Sequence, residues 1–327
     1  MKKYLSIVGR SLNDRVYSLL LTIVVVSVVA SFMWPALFPT FDNLSQVLLN
    51  MSIQAIVAVG MMLLMVAGAF DLSVGSVVAF IGGLAAHLMF YNQVPFIVAI
   101  AIALLAALII GLINGLLVAK AGINPLIQTL AMMGIVRGLA LMISGAGIEG
   151  LPDGFNAIGQ SEFLGLQTPV WYMLAIVIIF HLLFGNTVFF RRYYYIGNNE
   201  KAAELTGIRV KRMKIYGFML SALLAGIAGI LLVSRLGAAM STSGQGMELN
   251  VITAVILGGA SLSGGQGKIV GALLGTLFMA LVGNIMIIAR VSGYWQQIIL
   301  GVILILAVLA DVLMQKRTGR IPKKFKL

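Results

Sequence analysis

The chain is 327 residues long, 61% hydrophobic and only 10% charged, against about 25% charged in a soluble domain; no soluble fold can hide that much apolar surface. A net charge of +12 would suggest nucleic acid in a soluble protein, but here the cations flank apolar runs, where membrane lipids with anionic headgroups are the expected partners and nucleic acid is not. With no Cys, a disulfide framework and thiolate metal sites are excluded, and two His far apart in sequence speak against a zinc site and against the usual His or Cys catalysis.

In chain order, Lys2, Lys3, Arg10 and Arg15 precede an apolar run that continues through Val28-Val29-Ala30 into Ser31-Phe32-Met33-Trp34. That is longer than the core of a cleaved export signal, so it reads as an uncleaved first span. A span needs about 20 apolar residues, and the punctuation predicts about ten of them: 16–36, 45–69, 72–90, 96–119, 125–144, 169–187, 215–234, 251–267, 269–289 and 296–313. Most of the basic residues fall in three islands: Met1–Arg15, the loop 185–214 (Arg191, Arg192, Lys201, Arg209, Lys211, Arg212, Lys214) and the tail 315–327 (Lys316, Arg317, Arg320, Lys323, Lys324, Lys326). The positive-inside rule places both termini and the central loop in the cytoplasm, and 145–168, with Glu149, Asp153 and Glu162, outside. The expected architecture is all-α: a polytopic membrane helix bundle over 16–314, with a cytoplasmic segment 1–15 and a basic cytoplasmic tail 315–327.

Two regions resist a regular reading. No Lys or Arg occurs between Arg15 and Lys120, so charge fixes only an even number of crossings there, and re-entrant segments within 45–95 stay open. The run Gly258-Gly259-Ala260-Ser261-Leu262-Ser263-Gly264-Gly265 is too flexible for a helix interior; it lines a path or forms a tight cytoplasmic turn. It also echoes Gly68-Ala69-Phe70-Asp71-Leu72-Ser73-Val74-Gly75, which suggests an internal repeat of the kind that brackets substrate paths in transporters.

Polar groups at membrane depth are functional candidates by default. Asp71 follows directly on an apolar span, and with Ser73 it could instead cap the next helix. Arg137 interrupts the fifth span, at a cost of about 3 kcal/mol. With Asn124, Gln128 and Thr129 it could line a route for hydroxylated solutes, or it could form an interhelical bridge, for instance to Asp71. Gln54, Asn114 and Asn284 are further in-span polar groups, for which interhelical hydrogen bonds are the plain alternative. With Ser261 and Ser263 these complete the substrate-path candidates. His87 and His181 sit near span ends, Met61-Met62-Leu63-Leu64-Met65 and Met132-Met133 suit packing, and Tyr193-Tyr194-Tyr195 and Trp295 suit interfacial belts.

The central loop contains Tyr195-Ile196-Gly197-Asn198-Asn199-Glu200-Lys201-Ala202-Ala203-Glu204-Leu205-Thr206-Gly207-Ile208. Asn199 is a good N-cap, Glu200 suits the positive helix end, Ala202 and Ala203 favour helix, and Gly207 is a natural terminator. This predicts a two-turn helix too short to be stable alone, with its small Ala pair open to a partner; an amphipathic connector lying on headgroups is the alternative.

This loop, together with Asp71-Leu72-Ser73-Val74-Gly75-Ser76, Gly111-Leu112-Ile113-Asn114-Gly115, Glu248-Leu249 and Leu257-Gly258-Gly259-Ala260-Ser261-Leu262-Ser263-Gly264-Gly265-Gln266-Gly267, resembles the permease subunits of bacterial ribose-type sugar ABC importers, from about residue 45 to 311. The resemblance implies a multi-pass inner-membrane permease domain over 16–314. It implies three protein partners: an ABC ATPase subunit, a second permease subunit, identical or paralogous, and a periplasmic sugar-binding protein. Asn199, Glu200, Ala202, Ala203, Glu204 and Gly207 would form the element that couples to the ATPase. The chain has no G-x-x-x-x-G-K-[ST] motif, so no cofactor is expected here, and ATP and Mg are expected on the partner. A pentose or hexose is the first expected substrate. Within the same class a sugar-like signalling molecule, a nucleoside or a branched-chain amino acid stays open. Outside it, an ion-coupled secondary transporter would use Asp71 and Arg137 as a relay, and a membrane enzyme would need clustered acids or His residues that the sequence lacks.

Overall fold

The computed structural model describes residues 15–317; the expected terminal segments, with Lys2, Lys3 and Arg10 on one side and Arg320, Lys323, Lys324 and Lys326 on the other, lie largely outside the described residues. Helix breaks follow the local chemistry. Thr40 accepts a hydrogen bond from the Asn43 amide after Pro35 and Pro39, Asn124 caps the Leu126 amide just before Pro125, and Gly237 ends a long helix in the left-handed conformation.

The helices are α1 (Arg15–Met33), α2 (Phe41–Val66), α3 (Val74–Phe90), α4 (Phe96–Ala119) and α5 (Pro125–Ser144). The stretch before α7 (Thr168–Asn186) holds a short helix, α6 (Asp153–Gln160), and an antiparallel hairpin of β1 (Glu162–Phe163) and β2 (Leu166–Gln167), with Glu162 opposite Gln167. The central loop is two helices, α8 (Val188–Asn198) and α9 (Glu200–Leu205), and the chain continues through α10 (Val210–Leu236), α11 (Met247–Leu257), α12 (Ile269–Ile288) and α13 (Gly293–Arg317). Among the described residues eight helices are long and apolar enough to cross a membrane. This is a polytopic helical membrane protein.

The third and eighth predicted spans come out short. At 17 and 11 residues, α3 and α11 reach about 25 and about 16 Å, less than the roughly 30 Å of hydrocarbon. The expected span 251–267 stops at Leu257, and the glycine-rich remainder is irregular.

Two helices make the centre. Every residue of α2 from Ala55 to Val66 is buried, and α10 packs on α2, α3, α4 and α6. The α4–α10 contact is backbone to backbone: a Cβ on Gly111 would lie 2.6 Å from the Phe218 carbonyl oxygen and 2.7 Å from the Met219 Cα. Only small residues allow this approach, the usual device where helices associate without a solvent-driven hydrophobic force. Outward-facing Ile97, Leu105 and Ile109 of α4, and Ile305, Leu306 and Leu309 of α13, are exposed as a lipid-facing surface would be. At one end of the bundle Asn43 and Asn284 exchange reciprocal amide hydrogen bonds of 3.1 and 2.7 Å, and Ile148 pairs with Ala239. At the other end Arg15 forms an ion pair with Asp311 at 2.8 Å.

Gly111→Leu should force α4 off α10 and cost about 1–3 kcal/mol of overpacking, read as a lowered melting temperature in detergent. Gly134→Leu at an exposed position of α5, where an added Cβ would meet nothing within 4 Å, should leave the melting temperature unchanged.

Candidate functional site

The interrupted helices meet head to head. On α10, Gly229 abuts the Val78 carbonyl, and Gly82 packs against Val233, so α3 runs parallel to α10 and its first residue, Val74, lies near the middle of that span. The loop 237–246, with Gly244 and Gly246 both at positive φ (68° and 75°), returns into the bundle and brings Gly244 to the first turn of α3. A Cβ on Gly75 would lie 2.5 Å from a Glu248 carboxylate oxygen and closer still to the Gly244 carbonyl. The N-termini of α3 and α11 therefore share one region at membrane depth. Neither N-cap, Ser73 or Gly246, makes a side-chain cap hydrogen bond, and both helix dipoles turn their positive ends to this region.

Around it the structure gathers four of the sequence-predicted path residues. Asp71 Oδ1 accepts from the Ser73 amide at 2.8 Å and the Ser73 hydroxyl at 2.5 Å; Asn114 Nδ2 donates to Ser73 Oγ at 3.2 Å; and Gln128 Nε2 donates to Asn114 Oδ1 at 3.2 Å. All four are buried, and Asp71 Oδ2 and the Ser76 hydroxyl are buried without a partner among the described residues. Asp71 is thus not the N-cap. It lies two residues before the cap and closes an Asx-type turn that aims the chain into α3.

Arg137 does not pair with Asp71, which corrects the interhelical bridge weighed from the sequence. Its Nη1 donates to the carbonyls of Ser241 at 2.5 Å and Ser243 at 2.9 Å. It holds the loop that delivers α11, and its charge attracts Glu248 in the first turn of that helix. Glu248 was missed as a site residue, although an acid in the first turn of a short apolar helix is a readable signal.

Other candidates separate from this region. Thr129 donates to Pro125 O on its own helix at 2.8 Å, Asn284 serves the pair with Asn43, and Gln54 is half-buried on α2 and joins neither network. Ser261 and Ser263 belong to a second cluster: Gln315 donates to Ser261 Oγ at 2.9 Å and to Asp311 at 2.6 Å, and Ser263 donates to Gln315 Oε1 at 2.8 Å. That cluster, with Arg15 on Asp311, fastens α1, α13 and the 258–267 turn together. Asp311 was not singled out in the sequence. His87, expected at headgroup level, shares a 3.2 Å hydrogen bond with Ile143 O across α3 and α5.

The 258–267 segment is a non-helical turn that packs on its sequence echo. Both follow a helix that ends with the same cap: the Ala69 amide reaches Leu64 O at 2.9 Å, and the Ala260 amide reaches Val255 O at 3.1 Å. In this cap Gly68 (φ 78°) corresponds to Gly259 (φ 96°), one residue out of register with the sequence echo. The two turns join through Gly265 N to Val66 O at 2.8 Å. Gly197 of α8 is wedged between Val66 and Gly265, and a Cβ on Gly264 would lie 2.9 Å from the Gly197 Cα and 3.0 Å from the Gly68 Cα.

Directly after this junction comes α9. Asn199 Oδ1 accepts from the Ala202 amide at 3.0 Å, Gly207 (φ 84°) ends the helix, and Glu200 pairs with Lys214 at 2.7 Å. Ala202, Glu204 and Gly207 are exposed, but Ala203 is only 3% exposed and packs inward, so the open Ala pair is corrected to a single residue. The prominent outward group is Leu205, 89% exposed, which the sequence reading passed over. Beneath it, α8 is anchored by the Tyr193 hydroxyl on Met213 O at 2.9 Å and the Tyr194 hydroxyl on Gly267 O at 2.8 Å. Burial pushes both phenols up, so they stay donors. Tyr193 is therefore a core residue, while Tyr195 and Trp295 are exposed as a belt requires.

Residues 43–308 match the family described as branched-chain amino acid transport system / permease component. The ribose import permease protein RbsC of Escherichia coli (strain K12) is 39% identical over 297 residues, 89% of this chain and 92% of that protein. The L-arabinose transport system permease protein AraH of the same strain is 41% identical over 301 residues, 92% of this chain and 91% of that protein. RbsC of Bacillus subtilis (strain 168) is 38% identical over 297 residues, 90% of each chain. No solved structure matches the chain.

Asp71 and Arg137 share no partner, so the stability losses of Asp71→Ala and Arg137→Gln should add to within about 0.5 kcal/mol in a double-mutant cycle. Arg137→Gln and Glu248→Gln should depart from additivity, because the first removes the charge that the second relies on. Strong coupling between Asp71 and Arg137 would overturn the separation.

Proposed function

The chain belongs to the branched-chain amino acid transport system / permease component family, and from that membership we propose that it is the membrane-spanning subunit of an ATP-driven, binding-protein-dependent importer for a sugar of the ribose or arabinose kind. It is a transport subunit of an ABC system, not an enzyme. The relatives named for ribose and arabinose, matched over about nine-tenths of the chain, favour a sugar over an amino acid.

The observation that carries the reading is the route from α9 to the interrupted helices. A partner ATPase would seat Leu205, with Ala202 and Glu204 beside it, in a cleft. Displacing α9 would move Gly197, which bears directly on Val66, Gly264 and Gly265, and through Gly264 on Gly68. The first of these turns leads into α3 through Asp71 and the second closes the C-terminal end of α11, so the same push would reach both short helices. Where their N-termini meet, a neutral, hydroxyl-rich solute would find helix-end amides, the free oxygen of Asp71, Ser76 and Glu248, enough to guide a sugar and too few fixed charges to trap it. ATP and Mg would act on the partner. A second copy or a paralogue would supply the other half of the pathway, and a periplasmic binding protein would supply most of the affinity. In this reading the end carrying α9, Arg15 and the 258–267 turn faces the cytoplasm, and α6 with its hairpin faces outward.

Uptake of labelled ribose or arabinose by cells should stop on ATP depletion and survive an uncoupler; the reverse pattern would favour an ion-coupled transporter. Leu205→Asp should insert and fold normally while weakening ATPase association by about tenfold or more, the scale of an interface hot spot. Ala203→Arg should instead disrupt folding, because its site is already filled.

Orientation is checked by labelling. The native chain has no Cys, so Asp153→Cys should react with an impermeant maleimide in intact spheroplasts, and Lys211→Cys only after permeabilisation. The opposite pattern would invert the topology.

A further inference from the structure

A cavity of about 370 Å³ lies where α8 meets the start of α10, behind α9. Arg192 enters it from α8, and Arg209 and Arg212 from the first turn of α10. None of the three guanidiniums has a hydrogen-bond or ion-pair partner among the described residues, whereas neighbouring Lys214 is held by Glu200 and Arg191 donates to Gly185 O at 2.7 Å. Three like charges facing one concavity repel each other unless something negative joins them. The N-terminus of α10 adds its positive dipole end to this charge, because its N-cap, Arg209, makes no side-chain cap hydrogen bond. The wall on the membrane side is aromatic, with Phe189 and Tyr216 at a ring-centroid separation of 6.2 Å.

We infer that this cavity binds a phosphate group, held in the forks of Arg192, Arg209 and Arg212 and on the N-terminus of α10. Guanidinium forks match phosphate oxygens two at a time. An aromatic wall beside a cationic floor, at the interfacial end of a spanning helix, suits the diester of an anionic phospholipid, with glycerol and acyl carbons against Phe189 and Tyr216; free phosphate has the same chemistry without the apolar part. Gly207, the terminator of α9, lines the same cavity, so occupancy would brace α9 against α10 and stiffen the element through which a partner's motion enters. The anion site itself depends only on the cavity. Its place in the inner headgroup layer, and any effect on transport, rest on the importer reading.

The test uses the full chain purified in detergent without an ATPase, so failure of the importer reading would not affect it. Native mass spectrometry should show phosphatidylglycerol retained over phosphatidylcholine, and Arg209→Gln/Arg212→Gln should lower that retention by about tenfold or more, the scale of losing charged hydrogen bonds. Arg191→Gln should retain it fully. Lipid retention that withstands millimolar inorganic phosphate assigns the site to phospholipid; displacement by phosphate, with an arginine-dependent rise in melting temperature, assigns it to the free ion. Should the double variant lose its monodisperse elution profile, Arg192→Gln on the opposite wall makes the same measurement. Equal retention of both lipids by the native chain, or an unchanged preference in the arginine variants, would overturn the proposal.

Discussion

Hydrocarbon offers nothing to an open peptide group, so a helix can stop at membrane depth only where protein surrounds the break. Two helices stop there, α3 and α11, and much of the remaining architecture serves that fact. The fully buried stretch of α2 and the glycine-faced α10 form the shelter around them. Close packing at Gly111, Gly229 and Gly244 brings backbone against backbone, which closes the space that lipid would otherwise reach and leaves the freed polar groups facing one another.

The charges inside the bundle, two buried and one half-buried, obey the same constraint by different means. Arg137 spends two hydrogen bonds on the carbonyls of a non-helical loop, so a costly cation becomes the support for an irregular backbone. Asp311 is met by Arg15, Gln315 and the Leu262 amide and locks helix ends together. Asp71 is the exception. One oxygen organises the turn into α3 and the other has no partner, and a buried acceptor left open costs about 1–3 kcal/mol. Under the importer reading, such an acceptor beside two helix N-termini would be addressed to a passing hydroxyl.

The long spans were legible because about 20 apolar residues between glycine, proline and charge punctuation have few other uses in a chain this hydrophobic. Hydropathy sees composition and not continuity, so 251–267 looked like a span although its helix begins at Met247 and ends at Leu257. The polar candidates Asp71, Ser73, Asn114 and Gln128 were readable as in-span polar groups, and the structure joins them. The partner of Arg137 was not readable, because backbone carbonyls leave no mark in sequence. Nor were the faces of α9: a helix of 6 residues is too short for periodicity to show that Ala203 points in and Leu205 points out. Tyr193 fails for a related reason, since an interfacial aromatic and a core aromatic carry the same letters until the hydroxyl finds its partner.

The junction at Gly197 explains how so small a helix could move so much. Side chains that meet through flexible stems absorb a displacement by changing rotamer, but Gly197, Gly68 and Gly264 meet through their backbones and have no rotamer to change. Close-packed contacts of this kind transmit strain. A shift of α9 must therefore appear in the turns after α2 and α11 or break the Gly265–Val66 hydrogen bond. The turn after α2 leads into α3, and the turn after α11 joins that short helix to α12, so a displacement there would reach both short helices, with the bodies of α2 and α10 as the frame. Alternating access then requires no bending of the long helices, only a change in how two helix ends face each other.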